Sequence, residues 1–247
     1  MRIYGLIGFP LEHSFSESYF REKFTKERIQ DCVYKMFPIK SINDFPAFIK
    51  NNHLQGLNIT IPYKQAIMPY LDAIDTEAME VGAVNCITIE NHSDKPFLKG
   101  YNTDIYGFET LLKQATIPLH CKVLILGSGG SSLAVAYILR KHSIQFSIVS
   151  RNTSSDNSMR YNELNREYIE SHLIIINTTP LGMFPDIDKS PEIPYRFITA
   201  NHICIDLIYN PSKTSFLAQS ELQGAKTIGG LDMLYAQAEH SWLIWNK

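Results

Sequence analysis

The chain has 247 residues, 45% of them hydrophobic, which is enough apolar material for one large core or two smaller ones and argues against a disordered chain. Its 23 basic and 25 acidic residues give a formal net charge of −2, so no cationic excess exists to neutralise nucleic-acid phosphates or anionic lipid, and small molecules are the expected partners. The cysteines Cys32, Cys86, Cys121 and Cys204 lie far apart without a CxxC pair, which points away from a disulfide framework or a zinc site and suits a reducing cytoplasm. The apolar run from Ile3 to Pro10 is too short for a signal sequence, and no run approaches the ~20 apolar residues of a membrane helix. A soluble, unprocessed, cytoplasmic protein without a metal, monomeric or homodimeric, is expected.

In chain order, Ile3–Gly8, Cys32–Phe37, Leu57–Thr60 and Val84–Ile89 are apolar and partly β-branched, while Phe15–Phe24 and Ile42–Ile49 repeat apolar residues at helical spacing. This βαβαβ rhythm predicts a mostly parallel sheet. A helix over Thr103–Ala115, with Ile105, Phe108 and Leu112 on one face, leads into a second series. That series has a strand at Val123–Leu126, a helix at Ser131–Lys141, and strands at Phe146–Val149, Leu173–Ile176 and Ile203–Ile208. Helices near Thr214–Leu222 and at Leu231–Trp245 complete it. These strands are apolar almost throughout, as strands covered on both faces must be. Asn152–Arg160 reads as a polar surface loop. The fold class is therefore α/β with two lobes.

The run Val123–Leu126 enters Gly127-Ser128-Gly129-Gly130-Ser131-Ser132, a strand, a glycine turn and a helix. Glycines allow the backbone to approach a pyrophosphate, whose charge then rests on the N–H groups of the helix start. An ordinary tight turn is the alternative reading of that motif alone. After the next strand stands Ser150-Arg151-Asn152-Thr153, where a guanidinium and hydroxyls suit a 2′-phosphate better than the acidic residue that would hold a ribose diol, so NADP(H) is favoured over NAD. A solvated loop cation is the alternative for Arg151.

Several further clusters occur in one order: Gly8-Phe9-Pro10-Leu11-Glu12-His13-Ser14-Phe15-Ser16, Gly56-Leu57-Asn58-Ile59-Thr60-Ile61-Pro62-Tyr63-Lys64, Gly82-Ala83-Val84-Asn85 and Asn102-Thr103-Asp104. Downstream come Asn177-Thr178-Thr179-Pro180-Leu181-Gly182-Met183, Asp206-Leu207-Ile208-Tyr209-Asn210-Pro211, and Gly229-Gly230-Leu231-Asp232-Met233-Leu234 with Gln237-Ala238. Together they resemble the shikimate dehydrogenase family over essentially the whole chain. Glu17 stands where that family usually has proline, the region after the second nucleotide strand is shorter than usual, and the family's Asn-Arg-Thr becomes Ser150-Arg151-Asn152-Thr153.

The resemblance implies an N-terminal substrate-binding domain, residues 1–103 with 230–247, and a C-terminal Rossmann-type NADP-binding domain, residues 104–229, with catalysis in the cleft between them. It implies reversible NADPH-dependent reduction of 3-dehydroshikimate to shikimate, with Lys64 transferring the proton and Asp104 supporting it. Ser14, Ser16, Thr60, Asn85, Asp104, Tyr209 and Gln237 would hold the substrate. Gly127, Ser128, Gly129, Gly130, Ser131, Ser150, Arg151, Asn152, Thr153, Thr178, Leu207 and Gly230 would hold the cofactor. Ser14 and Ser16 also suit helix capping, and His13 suits a structural hydrogen bond. The rival readings are a dehydrogenase acting on both quinate and shikimate, an inactive ligand-binding regulator, and a generic Rossmann-type binding module.

Overall fold

The alternation of apolar strands and helical repeats gives twelve strands and eight α-helices among the described residues of a computed structural model, which describes residues 1–11, 15–92, 95–115, 121–151 and 158–247. The Cα packing divides them into two compact units, Met1–Thr103 with Ala238–Lys247, and Asp104–Gln237.

The first unit contains β1 (Arg2–Gly8), α1 (Ser16–Lys26), β2 (Cys32–Pro38), α2 (Phe45–Asn51), β3 (Gly56–Ile59), β4 (Ala73–Ile74), α3 (Thr76–Val81), β5 (Cys86–Glu90) and β6 (Phe97–Tyr101). Its sheet runs β2-β1-β3-β5-β6-β4. β1 pairs parallel with β2 and β3, but β5 is antiparallel to both β3 and β6. The strand expected around residues 84–89 therefore breaks the parallel rhythm. Only the six residues 91–96 separate β5 from β6, too few for a parallel crossover, so the two must form a hairpin-like pair.

Side chains alternate faces along β1. Ile3 and Ile7 pack with Phe45 and Ile49 of α2, while Tyr4 and Leu6 pack with Phe20 and Phe24 of α1 and with Trp242 and Trp245. On that second face Phe20 stacks on Tyr34 at 4.3 Å and Tyr4 on Trp245 at 4.9 Å. Lys23 is buried there and is held by Glu27 at 2.6 Å and Glu239 at 2.8 Å. Burial pulls the Lys23 pKa down, but the bonds to Glu239 and Glu27 outweigh it and leave it raised.

The second unit contains α4 (Asp104–Ala115), β7 (Val123–Leu126), α5 (Gly130–Lys141), β8 (Phe146–Val149), β9 (Ser158–Met159), α6 (Arg166–Ser171), β10 (Ile174–Asn177), β11 (Ile203–Asp206), α7 (Ser215–Leu222) and β12 (Lys226–Ile228). Helix α8 (Leu231–Trp245) begins in this unit and ends in the first. The sheet is parallel throughout, in the order β12-β11-β10-β7-β8-β9. This is the doubly wound order, and the direction in which successive strands are added reverses between β7 and β10. β7 and β10 are buried along their whole length, as two helix-covered faces require. Ser158 and Met159, expected in a loop, pair with Ile148 and Val149 instead. The strand expected to reach Ile208 stops at Asp206, because the backbone turns to receive the Gly230 N–H on the Ile208 carbonyl. One thiol is fully buried in each unit: Cys86 in the first and Cys204 in the second. No described helix is long and apolar enough to cross a membrane.

Candidate active site

Ligands of doubly wound sheets bind beyond the carboxyl ends of the strands, at the switch point. Here the turn after β7 meets the turn after β10. Gly127 has φ +110°, a conformation that penalises any side chain, and a Cβ there would lie 2.8 Å from the Thr178 hydroxyl. The Thr178 N–H and hydroxyl both bond the Leu126 carbonyl, at 2.9 and 2.7 Å, so Gly127 and Thr178 are brought together. Ser128 and Ser150 share a hydroxyl–hydroxyl bond of 2.8 Å across the ends of β7 and β8. Gly129 is the N-cap of α5 and supplies no side-chain cap, and space above it is open. The start of a twelve-residue helix, with the partial positive charge of its first turn, lies beside that space. Ser131 lies in this first turn.

Arg151 is exposed just after β8. Burial pushes the Tyr161 phenol up to about 12, and the nearby Arg151 charge opposes that rise. A helix start that favours anions, with an exposed cation beyond the adjacent strand, fits a pyrophosphate and a further phosphate. Asn152 and Thr153 lie outside the described residues. Leu207 and Gly230 meet directly, since a Cβ on Gly230 would overlap the Leu207 carbonyl group.

Two polar residues without an expected role organise these turns. Asn177 and Asp206 end β10 and β11 in register, and both are fully buried. Asn177 Nδ2 donates to Asp206 Oδ1 at 3.1 Å, and Asn177 Oδ1 accepts from the Thr179 N–H at 3.0 Å and the Thr179 hydroxyl at 2.7 Å. Asp206 also accepts from the Ile208 N–H at 3.0 Å and the Thr214 hydroxyl at 2.6 Å. Burial pushes the Asp206 carboxyl up to about 6, with the bonds from Thr214, Ile208 and Asn177 pulling the other way. A polar residue ending each of two neighbouring apolar strands is the sequence signal for this pair.

In the first unit, the Thr60 N–H bonds the Ile7 carbonyl at 2.8 Å, and the Thr60 carbonyl receives the Tyr63 N–H at 2.9 Å, forming the turn that carries Lys64. Lys64 is half-buried, and its carbonyl accepts the Val84 N–H at 2.7 Å. Asn85 is buried and grips Thr103, donating to its hydroxyl at 3.0 Å and accepting from its N–H at 2.6 Å. Asn102 Nδ2 donates to the Ala83 carbonyl at 2.8 Å. Thus the segments 82–85 and 102–103 come together, and the chain then opens α4 with a buried Asp104. A carboxylate in a helix's first turn is favoured by the backbone dipoles.

Ser16 is the first residue of α1, one place beyond the N-cap position, which Phe15 holds in helical geometry. Glu17 takes a place in its first turn. Ser14 and His13 lie outside the described residues. Tyr209 is half-buried after β11, and Gln237, half-buried on α8, donates to the Leu234 carbonyl at 3.0 Å. Among the described residues no three His, Cys, Asp or Glu side chains gather as a metal site would require.

A parallel doubly wound unit with a glycine turn at its switch point, together with a mixed α/β unit rich in buried polar groups, defines a dinucleotide-dependent oxidoreductase of two α/β domains. Residues 6–87 match the family model described as the shikimate dehydrogenase substrate binding domain. The NADP(+) shikimate dehydrogenase of Clostridium beijerinckii is 39% identical, covering 100% of this chain and 93% of its own. The crystal structure of shikimate dehydrogenase 1 from Peptoclostridium difficile superposes with a TM-score of 0.88 at 38% identity, covering 100% of this chain and 92% of its own. The Thermus thermophilus enzyme, solved with NADP(H) and shikimate, does so with a TM-score of 0.85 at 27% identity, covering 99% and 93%. The chain belongs to the shikimate dehydrogenase family.

Proposed function

We propose that this chain catalyses the reversible NADPH-dependent reduction of 3-dehydroshikimate to shikimate, within the pathway to chorismate and the aromatic amino acids, with Lys64 as proton donor and acceptor supported by Asp104. The observation that carries the reading is the glycine turn at the switch point, with Gly127 against Thr178 and Gly129 as the N-cap of α5, in a chain similar along its whole length to NADP(+) shikimate dehydrogenases.

The substrate-binding domain would comprise residues 1–103 with 230–247, and the NADP-binding domain residues 104–229, with the first half of α8 assigned to the substrate side although residues 231–237 cluster with the second unit. The N–H groups of Gly129–Ser131 would hold the pyrophosphate, with Ser128 and Ser150 beside it. Arg151, with Asn152 and Thr153, would hold the 2′-phosphate through charge-assisted bonds. Thr178, Leu207 and Gly230 would line the nicotinamide end. When bound, NADPH supplies the hydride for the ketone carbon. The Lys64 ammonium stabilises the negative charge growing on the ketone oxygen and gives it a proton, leaving a neutral amine that solvent reprotonates. In the oxidising direction the neutral amine removes that proton. Asp104 orients Lys64 and accepts a bond from a ring hydroxyl. Ser14, Ser16, Thr60, Asn85, Tyr209 and Gln237 hold the carboxylate and remaining hydroxyls. The protein acts in the cytoplasm as a monomer or homodimer.

The test follows reduced-nicotinamide absorbance with purified protein, NADPH and 3-dehydroshikimate. Steady loss of absorbance, with shikimate as product, is expected. Binding of NADPH without turnover would establish the ligand-binding regulator instead, and comparable rates on quinate would establish dual specificity.

A further inference from the structure

We propose that Ser241 of α8 is a positioning residue for this reaction, its hydroxyl closing a buried ring of four residues that fixes Thr103, and with it the start of the helix carrying Asp104, to the end of β3. The inference rests on the reading of Asp104 given above.

The ring is continuous. Asn58 Nδ2 donates to the Ser241 hydroxyl at 2.9 Å and reaches the Asn85 carbonyl at 3.2 Å. Asn85 Nδ2 donates to the Thr103 hydroxyl at 3.0 Å, and its Oδ1 receives the Thr103 N–H at 2.6 Å. The Thr103 hydroxyl returns to that of Ser241 at 3.2 Å. Tyr34 satisfies the remaining end of the Asn58 amide, donating to Oδ1 at 2.9 Å. All four members are more than nine-tenths buried, Thr103 and Ser241 completely.

A buried polar group without partners is costly, so a closed ring admits few alternative arrangements of its members. Three of its corners come from segments that lead to proposed site residues: Asn58 precedes Thr60 and Lys64, Asn85 is itself one, and Thr103 precedes Asp104. The fourth comes from the far end of the chain, 138 residues beyond Thr103. Valine would fill the space of Thr103, and alanine at 241 would lack only a single oxygen atom. What the hydroxyls add is direction: they set where the Thr103 backbone ends and α4 begins. A displacement of about 1 Å at a reacting group costs on the order of 10²-fold in rate, so a small relaxation here is readable in turnover.

The experiment measures steady-state reduction of 3-dehydroshikimate by Ser241→Ala, Asp104→Asn and the double variant, each in the full-length protein. Ser241→Ala is expected to lower kcat about tenfold with KM changed less than about threefold, and to lower Tm by about 6 °C, as two lost hydrogen bonds would. In the Asp104→Asn background the same substitution should cost less than about twofold, because residues acting through one another are not additive. An unchanged kcat, or an equal loss in both backgrounds, overturns the inference and leaves the Asp104 reading standing. If Asp104→Asn alone retains full kcat, the Asp104 reading falls first, and this inference with it. Should Ser241→Ala fail to fold, Thr103→Val breaks the same ring from its other side and is held to the same outcomes. If neither folds, the ring determines stability rather than position, and the inference is overturned.

Discussion

Lys64 stands after a turn fixed at both ends, with the Thr60 carbonyl bonded to Tyr63 and its own carbonyl bonded to Val84. A side chain whose backbone is pinned in this way suits proton transfer better than loose ion pairing. Lys64→Ala is expected to lower kcat by about 10² to 10⁴ with a smaller change in KM, in steady-state rates on shikimate and NADP+. A loss confined to KM would reassign it to substrate binding. Asp206 poses a different problem, that of a carboxyl buried among neutral donors. Its folded pKa of about 6 exceeds its ordinary value of 3.8, so the stability it contributes is present below the unfolded value and is lost as pH rises through about 6. Asp206→Asn can keep the bonds accepted at Oδ1 and reverse the one from Thr214, without the charge. Its urea-measured stability should therefore rise relative to the parent between pH 4 and pH 7.5, by up to about 3 kcal/mol. A difference independent of pH would show that Asp206 ionises as an ordinary carboxyl does.

Among the elements, the β7–α5 junction combines a positive φ with close approach of two side chains at Gly127. Gly127→Ala would place a methyl group 2.8 Å from the Thr178 hydroxyl and 2.9 Å from the Thr179 methyl at φ +110°, a strain of about 1–3 kcal/mol. Calorimetric titration should show NADPH affinity reduced well beyond shikimate affinity; equal losses would mean that the turn serves folding alone. This junction was readable in the sequence because a glycine-rich segment between an apolar strand and a helical repeat has few other uses. The long apolar strands were readable for the same reason, as burial on both faces leaves an uninterrupted pattern. What escaped the pattern is short or one-sided. β4 and β9 have two residues each and β12 three, too few to show a period, and β6 carries a lysine and a glycine in five residues. Helices α3 and α6 have six residues each, and their starts rest on the capping side chains Asp75 and Asn165 rather than on an apolar stripe. The polar rings were visible only as letters within motifs. Asn58, Asn177 and Asp206 look like substrate or turn residues in a linear chain, and only strand register and helix placement show which backbone groups they hold.

At the scale of the whole molecule, each unit owns a sheet, and α8 is apolar along its length because Met233 is buried in one unit while Ala238, Ser241 and Ile244 are buried in the other. The two sheets also isolate one thiol apiece. Burial pushes Cys86 up to about 12 and Cys204 to about 11, so neither forms a reactive thiolate until its surroundings open. Cys86 therefore times the opening of the first unit, and Cys204 that of the second. An alkylating reagent followed by mass spectrometry should modify both slowly, and NADPH at about 100 times its Kd should slow Cys204 by as much as 100-fold, with the lesser effect at Cys86. The reverse ranking would place the dinucleotide on the wrong sheet. The same two sulfur atoms give the protein a pair of internal stopwatches, and their readings can be compared within a single sample without changing any residue of the sequence.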